Sequence, residues 1–289
     1  MGRRRRLDSL LVERGLAPSR ERARALILAR AVVVEGRQHL KPGSSVDVEA
    51  AIHVLRRSQP YVSRGGLKLA HALEKFSLEI SGLVCLDVGA STGGFTHCLL
   101  EAGASRVIAL DVGRGQLDWR LRTDSRVVVL EGVNARRILP EDLPEAPDLA
   151  VVDVSFISLR LVLPPVVSVL KPAGRIVALV KPQFEVGKGQ VEKGGLVREK
   201  GKHLAVLSGL IEFCRERGFY VAGLTASPIT GAKGNVEYFL LLECGRRAGG
   251  TFPDADAIDR TVAGAMETLL RGKLPGQERR SRRRGREAG

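Results

Sequence analysis

Short continuous apolar runs alternate with amphipathic, helix-like segments through most of the chain. This pattern predicts strands joined by helices, which indicates an α/β fold with a largely parallel sheet. The last two runs flank a polar turn typical of a hairpin, so the final strand is expected to be antiparallel. The predicted strands are residues 84–88, 106–111, 126–130, 148–153, 174–181, 220–226 and 236–243.

The first part of the chain has a different pattern. From Arg6 to about residue 55, two short amphipathic helices precede short strands joined by a turn at 41–43, which indicates a small α+β domain. Near the end, an amphipathic segment at 257–270 predicts a helix, and the arginine-rich sequence after it predicts partial disorder. The predicted divisions are an α+β domain at 1–57, a linker at 58–64, an α/β domain at 65–246, and a C-terminal helix and basic tail at 247–289.

The first strand of the α/β domain runs into a glycine-rich turn, Asp-Val-Gly-Ala-Ser-Thr-Gly-Gly-Phe, where glycines let the backbone approach a ligand closely. The Gly-x-x-x-Gly-Gly spacing differs from that of pyrophosphate-binding turns, so a ligand without a diphosphate is favoured, and S-adenosylmethionine fits. Asp111 ends the second strand, where this architecture binds a ribose. A tight turn that binds no ligand is the alternative. The predicted cofactor-binding residues are Asp87, Gly89, Ser91, Thr92, Gly93, Gly94, Phe95 and Asp111.

The chain of 289 residues carries a formal net charge of +14 at pH 7, which predicts a polyanionic partner. Nucleic acid is favoured over a membrane, because the longest apolar stretch, at 159–180, is interrupted by prolines and Lys171. The basic first residues are followed by Asp8 and Glu13 rather than by an uninterrupted apolar segment. The sequence therefore predicts no signal peptide, and we expect a cytoplasmic protein.

Cysteine and histidine spacing predicts neither a disulfide framework nor a metal site. The four cysteines contain no Cys-x-x-Cys pair, and three of them lie within apolar segments, which indicates reduced thiols in the core. The five histidines show no metal-ligand spacing either. We therefore expect no bound metal.

Four charged residues are expected to meet at one edge of the sheet. Asp153 and Lys181 end two of the predicted parallel strands, where open α/β sheets bind their ligands. Glu237 lies near the start of the antiparallel strand, and therefore at the same edge, while Lys68 comes from the helix before the first strand. The alternative is that these residues form two ordinary surface ion pairs.

The N-terminal pattern resembles the small RNA-binding domain first known from ribosomal protein S-four. Its motifs here are Arg-Leu-Asp-x-Leu-Leu-Val-x-Arg-Gly-Leu, Ser-Arg-x-x-Ala, Val-x-Val-x-Gly and Lys-Pro-Gly, and Arg30 stands where such domains often have a turn glycine. In that family the basic face of the second helix binds RNA backbone; a solvated basic face is the alternative. The predicted RNA-binding residues are Arg6, Arg20, Arg22, Arg24, Lys41 and Arg64.

The four charged residues lie in Gly-Gly-Leu-Lys68-Leu, Val-Val-Asp153-Val-Ser-Phe, Leu-Val-Lys181-Pro-Gln-Phe-Glu and Gly-Asn-Val-Glu237-Tyr-Phe. They resemble the Lys-Asp-Lys-Glu tetrad of the FtsJ-related RNA 2′-O-methyltransferases. Together with the S-four-like domain, the chain except its tail resembles the TlyA family, also called hemolysin A. The resemblance implies a Rossmann-like class I methyltransferase with S-adenosylmethionine as its cofactor. It also implies methyl transfer to cytidine 2′-hydroxyls in small- and large-subunit ribosomal RNA.

The tetrad would supply the base that this reaction needs. A ribose hydroxyl is a poor nucleophile and must lose its proton as the methyl group arrives. A lysine, with an ordinary pKa of about 10.4, can take that proton when burial and a second lysine lower its pKa toward about 7 to 8. We assign Lys181 as the base, assisted by Lys68, with Asp153 and Glu237 orienting the two amines.

Three other functions stay open from the sequence. A base methyltransferase is the nearest, but Asp153-Val-Ser-Phe156 is not the Asn/Asp-Pro-Pro-aromatic motif of that class. A noncatalytic RNA-binding or ribosome-assembly protein would keep the same fold, and the family's other name suggests a membrane-lytic hemolysin. Isotope transfer from labelled cofactor to ribosomal subunits separates the predicted enzyme from these alternatives.

Overall fold

The structure is a computed structural model that describes residues 3–28, 31–37, 41–54, 60–187, 189–245 and 252–271. The chain divides into two compact units, Met1–Gln59 and Pro60–Gly289. The basic tail predicted at the C-terminus lies outside the described residues from position 272 onward, as does Arg30.

The first unit is a small α+β domain, as predicted. Its described elements are β1 (Arg4–Arg6), α1 (Leu7–Glu13), α2 (Arg20–Leu28), β2 (Val32–Val34), β3 (Ser45–Asp47) and β4 (Ile52–Val54). Strand β1 pairs antiparallel with β3, and β2 pairs antiparallel with β4. Leu7, Leu10 and Leu11 of α1 pack with Ala23 and Ile27 of α2, because residues three and four apart share one face of a helix.

Strands β1 and β4 are missing from the sequence-based prediction. Strand β1 consists of three arginines, so it shows no alternation of apolar and polar positions. Its pairing with β3 joins residues 39 to 43 positions apart, from the Arg6–Ser45 partners to the Arg4–Asp47 partners, and the backbone N–H of Val48 also donates to the carbonyl of Arg3. Long-range pairing of this kind leaves no local signal in the sequence.

The second unit contains the predicted α/β sheet and its helices. Its described strands are β5 (Val84–Val88), β6 (Arg106–Asp111), β7 (Val127–Glu131), β8 (Leu149–Val152), β9 (Arg175–Val180), β10 (Tyr220–Ala226) and β11 (Tyr238–Glu243). Its described helices are α3 (Gly65–Lys75), α4 (Gly94–Glu101), α5 (Trp119–Arg122), α6 (Leu159–Val169), α7 (Pro182–Glu185), α8 (Lys200–Glu216) and α9 (Ala255–Arg271).

The seven strands form one sheet in the order β10-β11-β9-β8-β5-β6-β7. Neighbouring strands from β9 to β7 are parallel, whereas β11 runs antiparallel between β9 and β10. The predicted fold class is therefore confirmed, including the antiparallel last strand. Because β11 runs the other way, its first residue lies beside the last residues of β9, as the partners Tyr238 and Val180 show.

Helices cover both faces of the sheet. Along β5, Leu86 and Val88 belong to the core on the side of α6, α8 and α9, whereas Cys85 belongs to the core on the side of α3 and α4. Burial on both faces explains why the strands appear in the sequence as continuous apolar runs. Helix α9 contributes the buried Ile258 and Val262, and no helix among the described residues is long and apolar enough to cross a membrane.

Residues 60–64 of the predicted linker at 58–64 group with the second unit. The ring of Tyr61 meets the ring of His97 edge-on at 5.7 Å, and the N–H of Val62 donates to His97 Nδ1 at 3.2 Å. A Cβ at Gly66 would lie 2.2 Å from Tyr61 Cγ, so the glycine makes room for this ring. Polar composition predicted a connector here, but these tertiary contacts hold the segment against α3 and α4.

Candidate active site

The glycine turn after β5 presses the backbone close to the loop that follows β8. Gly89 has a φ of +89°, and a Cβ there would lie 2.5 Å from the carbonyl oxygen of Asp153. The N–H groups of Gly89 and Ala90 donate to the carbonyl of Leu110 at 2.8 and 3.1 Å, which fixes the turn against β6. Only glycine combines that φ with that clearance.

Two cavities adjoin this turn. The first has a volume of about 390 Å³, and the second, beside Asp111 and Val112, has a volume of about 580 Å³. Both are lined by Gly89, Ser91 and Asp153, so they meet along the turn. Together they suit an elongated ligand with a nucleoside at one end. The predicted cofactor residues that line the first cavity are Gly89, Ser91, Thr92, Gly94 and Phe95.

Asp111 lies at the end of β6 and lines the larger of these cavities. Its carboxylate accepts hydrogen bonds from the N–H of Ser91 at 2.8 Å and from the N–H of Gly113 at 2.7 Å. These bonds fix the carboxylate at the cavity wall, where a ribose hydroxyl can donate to it. Gln116 and Asn134, which the sequence did not single out, line the same cavity.

The structure places two of the predicted cofactor-binding residues, Asp87 and Gly93, away from the walls of these two cavities. Asp87 is fully buried, its Oδ2 accepts a hydrogen bond from the Thr96 hydroxyl at 2.6 Å, and its Oδ1 has no hydrogen-bond partner among the described residues. A Cβ at Gly93 would lie 2.3 Å from a methyl group of Leu121, so this glycine serves helix packing. Neither residue lines the cavities beside the turn. Spacing alone does not distinguish a ligand contact from a support beneath the turn.

Replacing Asp87 with asparagine is expected to stabilise the fold at alkaline pH. Burial raises the pKa of Asp87 to about 7, whereas an aspartate in an unfolded chain ionises at about pH 4. Between these values the folded state holds a proton that the unfolded state has lost, so wild-type stability falls with rising pH and levels off above about pH 7. The Asp87→Asn variant avoids this loss, which is worth on the order of 2 to 4 kcal/mol at about pH 8.

Urea denaturation at about pH 5 and about pH 8 measures this difference in unfolding free energy. Asp256 is an exposed aspartate on α9, and Asp256→Asn, the matched control, is expected to change stability by less than about 0.5 kcal/mol at either pH. A stability gain for Asp87→Asn that is equal at both pH values would contradict the raised pKa.

The structure brings the four predicted catalytic residues together in a third cavity, the tetrad cavity, which has a volume of about 390 Å³. Lys68 Nζ lies 2.5 Å from Glu237 Oε2, and Lys181 Nζ lies 2.6 Å from Asp153 Oδ1. Lys68 comes from the first turn of α3, Asp153 and Lys181 directly follow β8 and β9, and Glu237 directly precedes β11. Strand direction therefore places three of the four at one sheet edge.

Each lysine of this tetrad is held by a carboxylate. Lys181 also donates to the Ser155 hydroxyl at 2.9 Å, so two groups fix its amine. Burial raises the pKa of Glu237, and the charge and hydrogen bond of Lys68 oppose that shift. The side chains of Lys68 and Lys181 are each only 11% exposed, which makes these pairs unlike ordinary surface ion pairs.

All three cavities meet at Asp153. Lys68 and Asp153 line both the first cavity and the tetrad cavity, and Asp153, Ser155 and Phe156 line both the tetrad cavity and the cavity beside Asp111. A group bound along the glycine turn therefore faces the lysine amines across Asp153. This arrangement suits transfer of a group from one bound molecule to another, because it holds two reactants side by side.

Phe156 is a site residue that sequence reasoning did not assign. It has a φ of +64°, is 89% exposed, and lies with its ring 5.0 Å from the ring of Phe184. A bulky residue rarely adopts this backbone conformation, and such strain is concentrated at functional sites. The two rings line the tetrad cavity. Aromatic residues directly after Asp-Val-Ser and Lys-Pro-Gln were the available signals.

The predicted RNA-binding arginines of the first unit divide into two groups. Arg6 and Arg20 both approach the buried carboxylate of Asp8, at 2.9 and 3.4 Å, and the guanidinium of Arg6 holds the pKa of that carboxyl below its ordinary value. Both arginines stay more than half exposed. Arg24 and Lys41 are exposed, and the side chain of Arg22 lies outside the described part of the chain.

Arg64, predicted to bind RNA, lies in the second unit beside the glycine turn. Its Nη2 donates to the carbonyl of Thr230 at 3.0 Å, and both residues line the first cavity. Arg64 thus lies at the mouth of the space beside the glycine turn. Its distance of four residues from Lys68 in the sequence is the signal that could have placed it there.

The buried cysteines belong to the hydrophobic core. Cys85, Cys98 and Cys214 are buried free thiols, and burial raises the pKa of each to about 12. Within the described ranges, no group of three or more histidine, cysteine, aspartate or glutamate side chains is arranged to hold a metal ion.

A mostly parallel α/β sheet, a glycine turn at its first strand and a Lys-Asp-Lys-Glu cluster define a methyltransferase. Residues 61–244 match the FtsJ-like methyltransferase family, and residues 5–52 match the S4 domain. The chain is 49% identical to the 16S/23S rRNA (cytidine-2′-O)-methyltransferase TlyA of Mycobacterium tuberculosis, over 84% of this chain and 91% of that protein. It is 42% identical to hemolysin A of Brachyspira hyodysenteriae, over 81% of this chain and 97% of that protein. The chain therefore belongs to the TlyA family of FtsJ-like methyltransferases.

A solved structure supports the same assignment. The chain matches a candidate hemolysin from Streptococcus thermophilus with a TM-score of 0.74 and 41% identity, covering 93% of this chain and 98% of that one. S-adenosylmethionine is the cofactor of this methyltransferase class, and the residues present fit it. The backbone clearance at Gly89 and the two cavities that meet along the turn provide the necessary space, and Asp111 provides a ribose ligand.

Proposed function

We propose that this protein transfers a methyl group from S-adenosylmethionine to the 2′-hydroxyl of cytidine in ribosomal RNA. The observation that carries the proposal is the junction at Asp153, where the tetrad cavity meets the two cavities of the glycine turn. The Mycobacterium tuberculosis relative is named for the same reaction on 16S and 23S RNA. We extend that substrate class to this chain, with small-subunit RNA as the first candidate substrate and large-subunit RNA as the second.

The tetrad can prepare the acceptor hydroxyl. When bound, S-adenosylmethionine supplies an electrophilic methyl group. Lys181, whose amine is held by Asp153 and Ser155, accepts the proton of the 2′-hydroxyl. Lys68, held by Glu237, places its positive charge where the oxygen becomes negative. The two carboxylates keep the lysines apart and in fixed positions.

The aromatic pair can receive the base of the acceptor nucleotide. Sequence-specific RNA recognition generally uses bases splayed out of a helix and stacked on aromatic side chains. Phe156 exposes most of its ring beside Phe184 in the tetrad cavity, so a base stacked there would carry its ribose toward the lysine amines. Stacking of this kind is worth about 1–3 kcal/mol per base.

The first unit is the proposed RNA-docking domain. Arg6, Arg20, Arg24 and Lys41 expose positive charge there, and the S4 match covers residues 5–52. Phosphate contacts by such residues give affinity without base specificity, which leaves the choice of nucleotide to the second unit. A ribosomal RNA substrate also supports a cytoplasmic location.

Methyl transfer to ribosomal subunits tests the proposal. The full chain, tritiated S-adenosylmethionine and ribosomal subunits from a strain without this activity are expected to yield labelled RNA. Nuclease digestion and mass spectrometry are expected to find 2′-O-methylcytidine at one or a few positions. Label on a base, or no label on either subunit, would contradict the proposed reaction. Omission of the protein provides the background.

A further inference from the structure

Gln183 has a polar side chain in the tetrad cavity that the proposed reaction does not use. It lies in α7, two residues after Lys181, and it lines this cavity with Phe156 and Phe184. Its Oε1 is buried and accepts no hydrogen bond from any described residue. Buried side-chain acceptors almost always have a partner, so an unpartnered one in a cavity points to a ligand that supplies the donor.

Other polar side chains of the same cavity are already engaged. The Asn235 amide accepts from the N–H of Val197 at 2.9 Å and donates to the carbonyl of Gly195 at 2.7 Å. The Ser155 hydroxyl accepts from Lys181. Gln183 therefore offers a carboxamide acceptor that these internal contacts do not satisfy.

The position of Gln183 indicates the acceptor molecule rather than the cofactor. Asp153, Ser155 and Phe156 line both the tetrad cavity and the cavity beside Asp111, whereas Gln183 and Phe184 line the tetrad cavity and neither cavity of the glycine turn. A base stacked on the Phe156 and Phe184 rings would therefore lie in the cavity that Gln183 also lines.

We propose that Gln183 accepts a hydrogen bond from the 4-amino group of the target cytosine and thereby determines the preference for cytidine over uridine. This inference rests on the proposed function. With its carboxamide oxygen toward the base, Gln183 needs a donor there, and cytosine has an amino group at the position where uracil has a carbonyl oxygen. A site built around such a hydrogen bond rejects the analogue that lacks the donor, because its own polar group then stays unpaired.

The test is a double-mutant cycle between the enzyme and its RNA. After the modified cytidine has been mapped, subunits carrying uridine at that position are prepared. Single-turnover methylation is then measured with excess wild-type protein and excess Gln183→Leu. Wild type is expected to prefer cytidine by at least about 10-fold. Gln183→Leu is expected to lose about 10- to 100-fold on cytidine but little on uridine, so that the ratio approaches one.

The control is Gln190→Leu, the same chemical change at an exposed residue outside the tetrad cavity, and it is expected to keep the wild-type ratio. Affinity for S-adenosylmethionine is expected to stay within about twofold of wild type in both variants, since the glycine turn is untouched. Gln183→Glu retains an acceptor, so its preference for cytidine is expected to exceed that of Gln183→Leu.

The outcomes separate this inference from the proposed function. If Gln183→Leu methylates cytidine at the wild-type rate, or loses the same factor on both nucleotides, the assignment of Gln183 is overturned while the proposed function stands. Equal rates of wild type on both nucleotides overturn it as well. If wild type labels neither RNA, the proposed function fails and this inference fails with it.

Discussion

Replacing Lys181 with alanine is expected to slow methyl transfer by about 10²- to 10⁴-fold, because the variant has no side-chain base at the acceptor hydroxyl. Its affinity for S-adenosylmethionine is expected to stay within a few-fold of wild type. Lys181 lines the tetrad cavity but neither of the two cavities that adjoin the glycine turn. Single-turnover transfer to ribosomal subunits measures the rate, and calorimetric titration measures cofactor affinity.

The chain offers a closely matched control for this prediction. Lys171 lies before β9 and Lys181 after it, while Asp148 lies before β8 and Asp153 after it. Lys171 Nζ lies 2.6 Å from Asp148, the same distance as that between Lys181 Nζ and Asp153. Lys171→Ala therefore removes the same kind of pair from the opposite ends of the same two strands. The pair is partly exposed, so we expect a loss of at most about 1 kcal/mol in stability and no loss of rate.

Lys181→Arg tests whether Lys181 acts as a base or only through its positive charge. Guanidinium keeps its proton at any working pH, so Lys181→Arg is expected to be nearly as slow as Lys181→Ala. A rate for Lys181→Arg near that of wild type would show that the residue acts through its charge alone. A rate for Lys181→Ala near that of wild type would show that Lys181 is not the base.

Strand direction explains why the meeting point of the tetrad could be predicted. Asp153 and Lys181 end continuous apolar runs, and such runs identify buried parallel strands whose carboxyl ends share one edge. Glu237 followed from the antiparallel direction of the last strand, which the hairpin signal indicated. Lys68 was placed by its motif, since a helix before the first strand has no fixed position in the pattern.

Other features of the site depend on contacts that local patterns do not encode. Asp87 and Asp111 both belong to apolar strands next to the turn, yet one is fully buried against Thr96 and the other is half-buried at the cavity wall. Arg64 contacts Thr230, 166 residues further along the chain. The unpartnered oxygen of Gln183 becomes evident only when its surroundings are known.

The N-terminal arginines show the same limit of sequence patterns. Asp8 lies within the first amphipathic helix, and nothing in the spacing shows that its side chain is buried. The structure places Arg6 and Arg20 beside it, so these arginines neutralise a buried carboxylate as well as expose positive charge. Substituting either one would combine a loss of stability with any loss of RNA affinity. Arg24, which is exposed, gives a cleaner test of RNA binding.

Replacing Gly89 with alanine is expected to abolish measurable cofactor binding and to slow methyl transfer by at least about 100-fold. The new Cβ would lie 2.5 Å from the Asp153 carbonyl oxygen, at a φ of +89° that disfavours a side chain. Relieving this close contact requires the backbone at Asp153 to move, and the Asp153 carboxylate holds Lys181. One methyl group would therefore disturb both the cofactor cradle and the base, with a stability loss of about 2–4 kcal/mol.

Gly218→Ala is the control that separates the effect of the close contact at Gly89 from the effect of a positive φ. Gly218 has a φ of +72° after α8, but a Cβ there would meet no atom of the described residues within 4 Å. Gly218→Ala is expected to cost about 1 kcal/mol in stability, from the positive φ alone, and to keep full cofactor affinity. Calorimetric titration and urea denaturation of both variants measure the two effects. If Gly89→Ala bound S-adenosylmethionine as tightly as Gly218→Ala, the contact with Asp153 would not shape the cofactor site, and the coupling between cradle and tetrad would be wrong.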